Sequence, residues 1–270
     1  MVQETEGFYD HEWFSGFSNK ISFKHAVLFP VGDNKFKLNE TSGQVIENSL
    51  LTAEIQLYTR FAFKERFVMG EFERVSLGTK YPVFEVDYAY GIPGLFGSEF
   101  EYHRLKVGMR QWFNVASLGW SKYIIDAGKI WGTLPYPLLK LMPGNETFLF
   151  DEYAYNLMDY YEFVSDAYIG IYYTHHFDGL LLNHIPLMRK LKWRTVIHGR
   201  GVVGTLTNAN KNYSEFPRIT HDLQRPYYEA GVGIENILRM FRVDALWRLS
   251  HRNINQSGNF ALFLSFWFSF

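Results

Sequence analysis

The stretch NFALFLSFWFSF, residues Asn259 to Phe270, decides the fold that this sequence predicts. Large apolar side chains occupy every second position from Phe260 onward, and small or polar side chains fill most positions between them. Because successive residues of a strand point to opposite faces of a sheet, the stretch predicts a strand with one strongly apolar face. Such a face needs an apolar medium, which is either the core of a soluble protein or the lipid around a closed, membrane-spanning sheet.

The same alternation recurs along the chain and predicts strands rather than helices. It is clearest in the ranges 50–63, 100–113, 162–177, 191–203 and 241–251, and it is less regular in 13–29, 66–77, 81–91, 116–130 and 226–236. These ranges with the last stretch make about eleven strands. Since bacterial single-chain barrels have an even number, we expect about twelve. The prediction is an all-β fold, an antiparallel transmembrane β-barrel that forms one domain over residues 1–270.

The composition removes several other classes of protein. No run of about 18 uncharged apolar residues is present, so a helical membrane span is excluded. The mean hydropathy of -0.17 is compatible with a barrel, because only half of each strand is apolar. A net charge of -1 gives no reason to expect nucleic acid as a partner. The sequence has no cysteine, so disulfides and thiolate metal sites are impossible.

The termini and the connections suggest how the barrel is placed. The first residues, MVQETEGFYDHEWF, lack the basic and apolar regions of a signal peptide, so we expect either the carboxy-terminal part of a longer precursor or a mature chain with an added Met. With Phe270 at the periplasmic rim, alternation of the connections places 177–190 on the periplasmic side and 132–160 outside. Both connections are unusually apolar. We expect the second to fold inward over the lumen or to pack against another surface.

Alternating aromatic residues at the carboxy terminus, Phe266, Phe268 and Phe270, resemble the signature by which bacterial outer-membrane barrels are recognised for assembly. This resemblance implies a location in the bacterial outer membrane. It also implies two kinds of partner, namely outer-membrane lipid and the barrel assembly machinery during biogenesis. An envelope protein is a possible further partner.

Four longer strings resemble one family of Bacteroidetes outer-membrane proteins. They are GTKYPVFEVDYAYGI (78–92), GKIWGTLPYPLL with PGNETF (128–139 and 143–148), YYEFVSD (160–166) and HHFDGLLLNHIPLMRKLKWR (175–194). The family has unknown function and a carboxypeptidase-regulatory-like domain, and GVGIENILRMFRVDALWRLSH (231–251) is similar to its last hairpin. The resemblance covers about residues 60–270 and implies a larger parent protein with a membrane barrel, without implying peptidase activity.

A more distant similarity connects the chain with surface-antigen barrels, which insert or secrete other proteins. Their arginine-glycine signature lies in a long loop that enters the lumen. The nearest counterpart here, Arg200 with Gly201, lies in a predicted strand.

No group of residues stands out as catalytic or metal-binding. His175 and His176 are adjacent and point to opposite faces of a strand, so they cannot chelate one metal ion together. Ser165, Asp166 and His176 have the residue types of a hydrolase, but Ser165 and Asp166 also face opposite ways. The string GRGVVG (199–204) lacks the spacing of a nucleotide-binding loop. We therefore expect no enzyme activity, no cofactor and no metal.

Charged residues recur on the polar faces of the predicted strands. Such residues would fill and stiffen a narrow lumen, or alternatively line a path for a solute. We expect the first role for a charge network made of Arg104, Lys106, Arg110, Glu162, Asp166, Lys192, Arg194, Arg200, Arg242, Asp244 and Arg248.

The sequence thus favours a non-catalytic outer-membrane barrel with a structural role or a role in transport or assembly. Two alternatives stay open. One is a barrel enzyme that acts on lipid or a surface polymer, and the other is a soluble β-sandwich that binds glycan. A sandwich would bury its apolar faces and expose its charges, whereas a membrane barrel does the reverse.

Overall fold

The computed structural model describes residues 1–30, 35–40, 43–71, 74–254 and 258–266. Eighteen strands lie in these ranges: β1 (Val2–Phe14), β2 (Phe17–Leu28), β3 (Phe36–Glu40), β4 (Gly43–Glu47), β5 (Leu50–Ala62), β6 (Arg66–Met69), β7 (Arg74–Gly78), β8 (Val83–Gly91), β9 (Tyr102–Asn114), β10 (Trp120–Trp131), β11 (Lys140–Leu141), β12 (Phe163–Ser165), β13 (Ala167–His176), β14 (Arg194–Thr205), β15 (His221–Asp222), β16 (Tyr227–Ile237), β17 (Phe241–Arg248) and β18 (Phe260–Phe266).

Helical structure is limited to short connections. The α-helices are α1 (Pro186–Leu191) and α2 (Asn208–Tyr213), and 3-10 turns cover Leu95–Gly97, Ala116–Leu118, Tyr136–Leu138 and Leu182–His184. Within the described ranges, no helix is long and apolar enough to cross a membrane.

Eleven strands form one antiparallel sheet in the order β1-β2-β5-β8-β9-β10-β13-β14-β16-β17-β18. Each strand pairs with the next strand of the sheet along the chain, so the sheet is a continuous meander. The prediction of an all-β, antiparallel fold is confirmed. In the described part of the chain β1 and β18 do not pair with each other, so closure of the sheet and a total of twelve strands remain predictions.

The two faces of the sheet have inverted polarity compared with a soluble protein. In β5, the apolar side chain of Ile55 is 47% exposed, whereas its neighbour Glu54 is 7% exposed. We call the apolar, exposed face the outer face and the opposite one the inner face. Outer-face residues include Ile55, Leu57, Phe84, Val86, Val107, Ile169, Ile171, Ile197, Val203, Val232, Trp247, Leu262 and Leu264. Inner-face residues that are buried include Glu54, His198, Arg200, Glu229, Arg242, Asp244 and Arg248.

Several strand boundaries differ from the prediction. The range 13–29 is interrupted by a turn at Gly16, where φ is +87° and an added Cβ would lie 2.1 Å from the carbonyl oxygen of Ala62. Only glycine fits such a turn without strain. In the range 191–203 the strand begins at Arg194, because α1 ends at Leu191 and Lys192 follows with a positive φ of 57°. The range 66–77 forms the hairpin β6–β7, outside the main sheet.

A long connection between β10 and β12, residues 132–162, packs against the inner face and is called the inserted segment. Its Leu134 and Leu139 belong to one apolar cluster with Tyr102 of β9. Its Tyr155 and Met158 belong to a second cluster with Tyr172 of β13, Val202 of β14 and Tyr227 of β16. Leu157 completes a third with Leu246 and Phe263. One segment thus contacts strands from β9 to β18, which requires the sheet to curve around it.

Candidate functional site

The inserted segment is held in a fixed shape by two buried asparagines. Asn145 Nδ2 donates hydrogen bonds to the Leu149 carbonyl at 2.7 Å and to Asn156 Oδ1 at 2.6 Å. Asn156 Oδ1 also accepts from the Asp151 amide at 2.9 Å. Buried amide side chains require such partners, so the two residues fix the turn that carries Phe150. Gly144 permits it, since an added Cβ would lie 2.5 Å from the Met158 carbonyl oxygen.

Glu229 of β16 binds the backbone of the inserted segment. The amides of Asn156 and Leu157 donate to its two carboxylate oxygens at 2.9 and 3.0 Å, and the hydroxyl of Tyr227 donates at 2.7 Å. The guanidinium of Arg200 lies 3.7 Å away and also donates to the Ala154 carbonyl. A carboxylate with this many donors is well satisfied although it is buried.

Arg248 of β17 forms the second attachment. Its two terminal nitrogens contact the two oxygens of Glu162 at 3.0 and 2.5 Å, and one of them also donates to the Leu157 carbonyl at 3.0 Å. Both side chains are almost fully buried. The Asp159 amide donates to the same carboxylate at 2.9 Å. This bidentate ion pair joins the end of the inserted segment to the sheet.

Phe150 occupies a position between two arginines of the inner face. The guanidinium carbons of Arg200 and Arg242 lie 4.6 and 4.5 Å from the centre of its ring, and the ring of His198 lies 4.7 Å away. Guanidinium groups are attracted to aromatic faces, more strongly where water is excluded. The ring therefore reduces the cost of burying two neighbouring cations.

Asp244 neutralises part of that positive charge. One of its oxygens accepts from Arg242 Nε at 2.7 Å, and the other lies 2.8 Å from His198 Nε2. Thr174 Oγ1 is 3.1 Å from the other ring nitrogen of this histidine. The row of Thr, His and Asp superficially resembles a catalytic triad, but all of Asp244 is engaged and His198 is buried. The arrangement orients the arginines around Phe150.

The inserted segment also contacts the edge of β18. The Phe150 amide donates to the Leu264 carbonyl at 2.9 Å, and the Leu264 amide donates to the Phe148 carbonyl at 2.9 Å. This parallel bridge satisfies part of a strand edge that would otherwise present free backbone groups.

The structure brings together five of the predicted network residues, all buried around the inserted segment: Glu162, Arg200, Arg242, Asp244 and Arg248. Three others lie on the inner face farther along the sheet. Arg104 pairs with Glu54 at 2.8 Å, Arg110 pairs with Glu85 at 2.8 Å, and Lys106 lies beside Arg104 on β9.

Two of the predicted network residues lie away from this group. Lys192 follows α1, outside any strand, and is exposed, because a helix replaces the start of the predicted strand. Arg194 begins β14 on the same side of the strand as His198 and Arg200, but at the rim, where it pairs with Asp178 at 3.6 Å and both side chains are about half exposed.

Asp166 anchors the connection between β14 and β15. Its carboxylate accepts from the Thr207 amide at 2.7 Å and from Asn210 Nδ2 at 3.0 Å, which fixes the start of α2. Burial alone would raise the pKa of Asp166, but the hydrogen bonds from Thr207 and Asn210 outweigh it and lower the pKa.

The residues with hydrolase character are separated. Ser165 ends β12, before the start of β13, and His176 lies at the far end of β13, where it is stacked on Trp120 and bonded to Glu235 at 2.9 Å. In the part of the chain that the structure describes, no three His, Cys, Asp or Glu side chains are grouped to hold a metal ion. Arg200 and Gly201 lie inside β14, as the sequence indicated.

Sequence reasoning missed Glu229 and Phe150, which carry much of the site. Glu229 lies in a range whose alternation is weak, because Gly231 and Gly233 interrupt it. Phe150 lies in a connection, where no periodicity applies. Of the predicted assembly signal, Phe266 ends β18 with its side chain exposed, and Phe268 and Phe270 lie outside the described residues.

Comparison with solved structures shows which fold this chain resembles. The crystal structure of BamA from Haemophilus ducreyi lacking POTRA domains 1-3 superposes with a TM-score of 0.58 at 10% sequence identity. The match covers 98% of this chain and 54% of that one, so this chain spans about half of its length. At this identity the similarity concerns the fold alone, which is a large antiparallel sheet similar to that of this BamA structure.

Comparison of the sequence with models of protein families shows the family of this chain. Residues 23–217 match a family model described as "Family of unknown function (DUF5686) C-terminal domain". The match covers most of the chain, and the chain therefore belongs to this family. No curated protein matches the sequence. The predicted resemblance to a family of unknown function and to assembly barrels is confirmed at this level.

Proposed function

We propose that this chain is a membrane-embedded β-barrel domain of the bacterial outer membrane, with a non-catalytic role in envelope structure, transport or assembly. The observation that carries the proposal is the inverted polarity of the sheet. Apolar side chains lie exposed on its outer face while ionic groups are buried on its inner face. This arrangement is stable only when lipid surrounds the sheet.

The contacts of the inserted segment support a structural role for the inner charges. Glu229, Arg248 and the Phe150 site all bind parts of this chain itself, which leaves no free group among them for a substrate. We therefore infer that the charges hold the inserted segment in the lumen. The proposed partners are outer-membrane lipid, the barrel assembly machinery during biogenesis and an envelope protein.

A Bacteroidetes origin and a parent protein with a carboxypeptidase-regulatory-like domain are part of the same proposal. They rest on the sequence strings that resemble that family. Closure of the sheet into a barrel of about twelve strands is also proposed, because β1 lies at the edge of the sheet and its thirteen residues are exposed.

The proposal is tested by extraction in mild detergent and comparison of gel mobility with and without boiling. A closed barrel migrates faster before boiling. Ile55→Asp places a charge on the outer face and should abolish the faster band, since a charge in lipid costs about 2 kcal/mol. Ile46→Asp is a matched control, because Ile46 is 55% exposed but lies in the hairpin β3–β4. Full solubility of the protein without detergent would contradict the proposal that it is embedded in a membrane.

A soluble glycan-binding sandwich is disfavoured, because the apolar residues of the sheet do not pack against a second sheet. A barrel enzyme would need a reactive group that is open to substrate. If such a group exists, single changes at Ser165 or His176 should abolish turnover of a lipid or surface polymer. The difference in gel mobility between boiled and unboiled protein should remain.

A further inference from the structure

The connection between β13 and β14, residues 177–193, is far longer than an antiparallel pair of strands requires. It lies at the end of the sheet where Phe241 pairs with Phe266 and where β18 ends. Its apolar residues are exposed, with Leu181 49%, Ile185 47% and Leu187 61% accessible. A surface of this kind needs a partner.

The turn between β16 and β17 joins the same surface. Asn236 Nδ2 donates to the Lys192 carbonyl at 2.7 Å, which connects the two links. In this turn Leu238 is 77% exposed and Arg239 follows it. The rim patch, as we call the combined surface, consists of Leu181, Ile185, Leu187, Arg189, Lys190, Leu191, Lys192, Leu238 and Arg239.

The positive charge of the rim patch is not balanced. Arg189, Lys190 and Lys192 are exposed, and within the described chain no carboxylate lies within ion-pair distance of them. The carboxylates next to these two links in the sequence are engaged elsewhere, Asp178 with Arg194 and Glu235 with His176. In α1, Leu187 and Leu191 are four residues apart and share one side, Arg189 lies on the opposite side, and Lys190, three residues after Leu187, flanks the apolar side.

We propose that the rim patch binds a membrane surface through anionic phospholipid headgroups. Exposed apolar residues next to basic residues on a short surface helix are typical of segments that lie in a lipid interface. The charge selects headgroups with a net negative charge. The inference rests on the proposed membrane barrel.

The absence of cysteine makes a direct test possible, because one introduced cysteine carries the only label. The full chain is refolded into vesicles of phosphatidylcholine, alone or mixed with phosphatidylglycerol. An environment-sensitive dye is attached at Leu187→Cys in one protein and at Ile55→Cys in another. Ile55 reports on insertion of the sheet, and Leu187 reports on the rim patch.

We expect the dye at Ile55→Cys to shift to the blue in both kinds of vesicle. The dye at Leu187→Cys should shift mainly in those with phosphatidylglycerol. Adding Arg189→Gln or Lys190→Gln should weaken this response about fivefold for each charge removed. Arg218→Gln with Arg225→Gln, at the other end of the sheet, should leave it unchanged.

Two results would overturn the inference while the barrel stands. One is a dye at Leu187→Cys that stays water-exposed while the Ile55 dye shifts, and the other is an equal Leu187 response in both vesicles that ignores the charge changes. A dye at Ile55→Cys that never shifts overturns the proposed function and the inference with it.

Discussion

Arg248 and Glu162 form a bidentate ion pair between residues 86 positions apart, with nitrogen to oxygen distances of 3.0 and 2.5 Å. The arginine belongs to the sheet and the glutamate to the inserted segment. Because both are buried, each depends on the other for neutralisation. The pair connects the folding of the inserted segment to that of the sheet.

Removal of one partner of this ion pair should destabilise the folded protein. Glu162→Gln leaves the guanidinium of Arg248 buried without a counter-charge, so the free energy of unfolding should fall by about 3 kcal/mol. Urea unfolding of the refolded barrel, followed by loss of the faster gel band, measures this change. The double variant Glu162→Gln with Arg248→Met should cost less than the sum of the single changes.

An exposed pair provides the comparison. Lys37 and Glu215 lie 2.7 Å apart with side chains 46% and 61% exposed, and Lys37→Gln should change stability by less than about 0.5 kcal/mol. Equal effects at the two pairs would contradict the assignment of the Arg248 pair as a buried attachment.

Gly170 of β13 is expected to be essential for seating the inserted segment. An added Cβ would lie 2.5 Å from the hydroxyl oxygen of Tyr155 and 2.7 Å from Asp126 Oδ1. Gly170→Ala should therefore destabilise the protein by about 1–3 kcal/mol through overpacking. Tyr155→Phe removes the nearer atom and should recover part of the loss in the same urea experiment.

Gly199 is the matched control for this change, since nothing lies within 4 Å of an added Cβ there. Gly199→Ala should be tolerated, with an effect within about 0.5 kcal/mol. A loss at Gly199 as large as that at Gly170 would show that the cost comes from the strand backbone and not from Tyr155.

Acid should loosen the start of α2 through Asp166. Hydrogen bonds lower the pKa of this carboxyl in the folded protein. Its contribution to stability is therefore complete above the ordinary pKa of 3.8 and is lost as the pH falls through the lower folded value. Proteolysis by pepsin between residues 206 and 226 should increase in that acid range.

Asp166→Asn should remove this pH dependence, because the amide does not titrate. The segment should then be cleaved at a similar rate throughout the acid range. A variant that retains the full acid sensitivity of the parent would assign the effect to another carboxylate and contradict the prediction.

The strand faces were predictable where alternation is regular, as in β5, β17 and β18. There the side-chain period of two fixes which residues share a face. The sequence did not reveal β1, VQETEGFYDHEWF, because the inner positions of this strand carry Glu4, Glu6, Asp10 and Glu12 while its outer positions are mixed. Without an apolar face, a strand gives no periodic signal.

The site was less predictable than the sheet. Alternation placed Arg200, Arg242 and Arg248 on polar faces, but which carboxylate each one meets depends on where the inserted segment runs. That path is decided by long-range contacts such as those of Glu229 with two backbone amides. The same limit explains Lys192, where a local helix replaced the expected strand.

Phe150 should decide whether the inserted segment stays in the lumen. Phe150→Ala removes the ring that both Arg200 and Arg242 contact, so the two guanidiniums lose their cation–π partner. The loss of burial and of both cation–π contacts should lower stability by about 3 kcal/mol. In planar bilayers the variant should conduct ions more than the parent, because the bridge to Leu264 and the turn around it loosen.

Phe148→Ala is the matched control, since this ring is 66% exposed although its carbonyl also binds Leu264. Equal conductance in the two variants would show that Phe150 does not hold the segment in place.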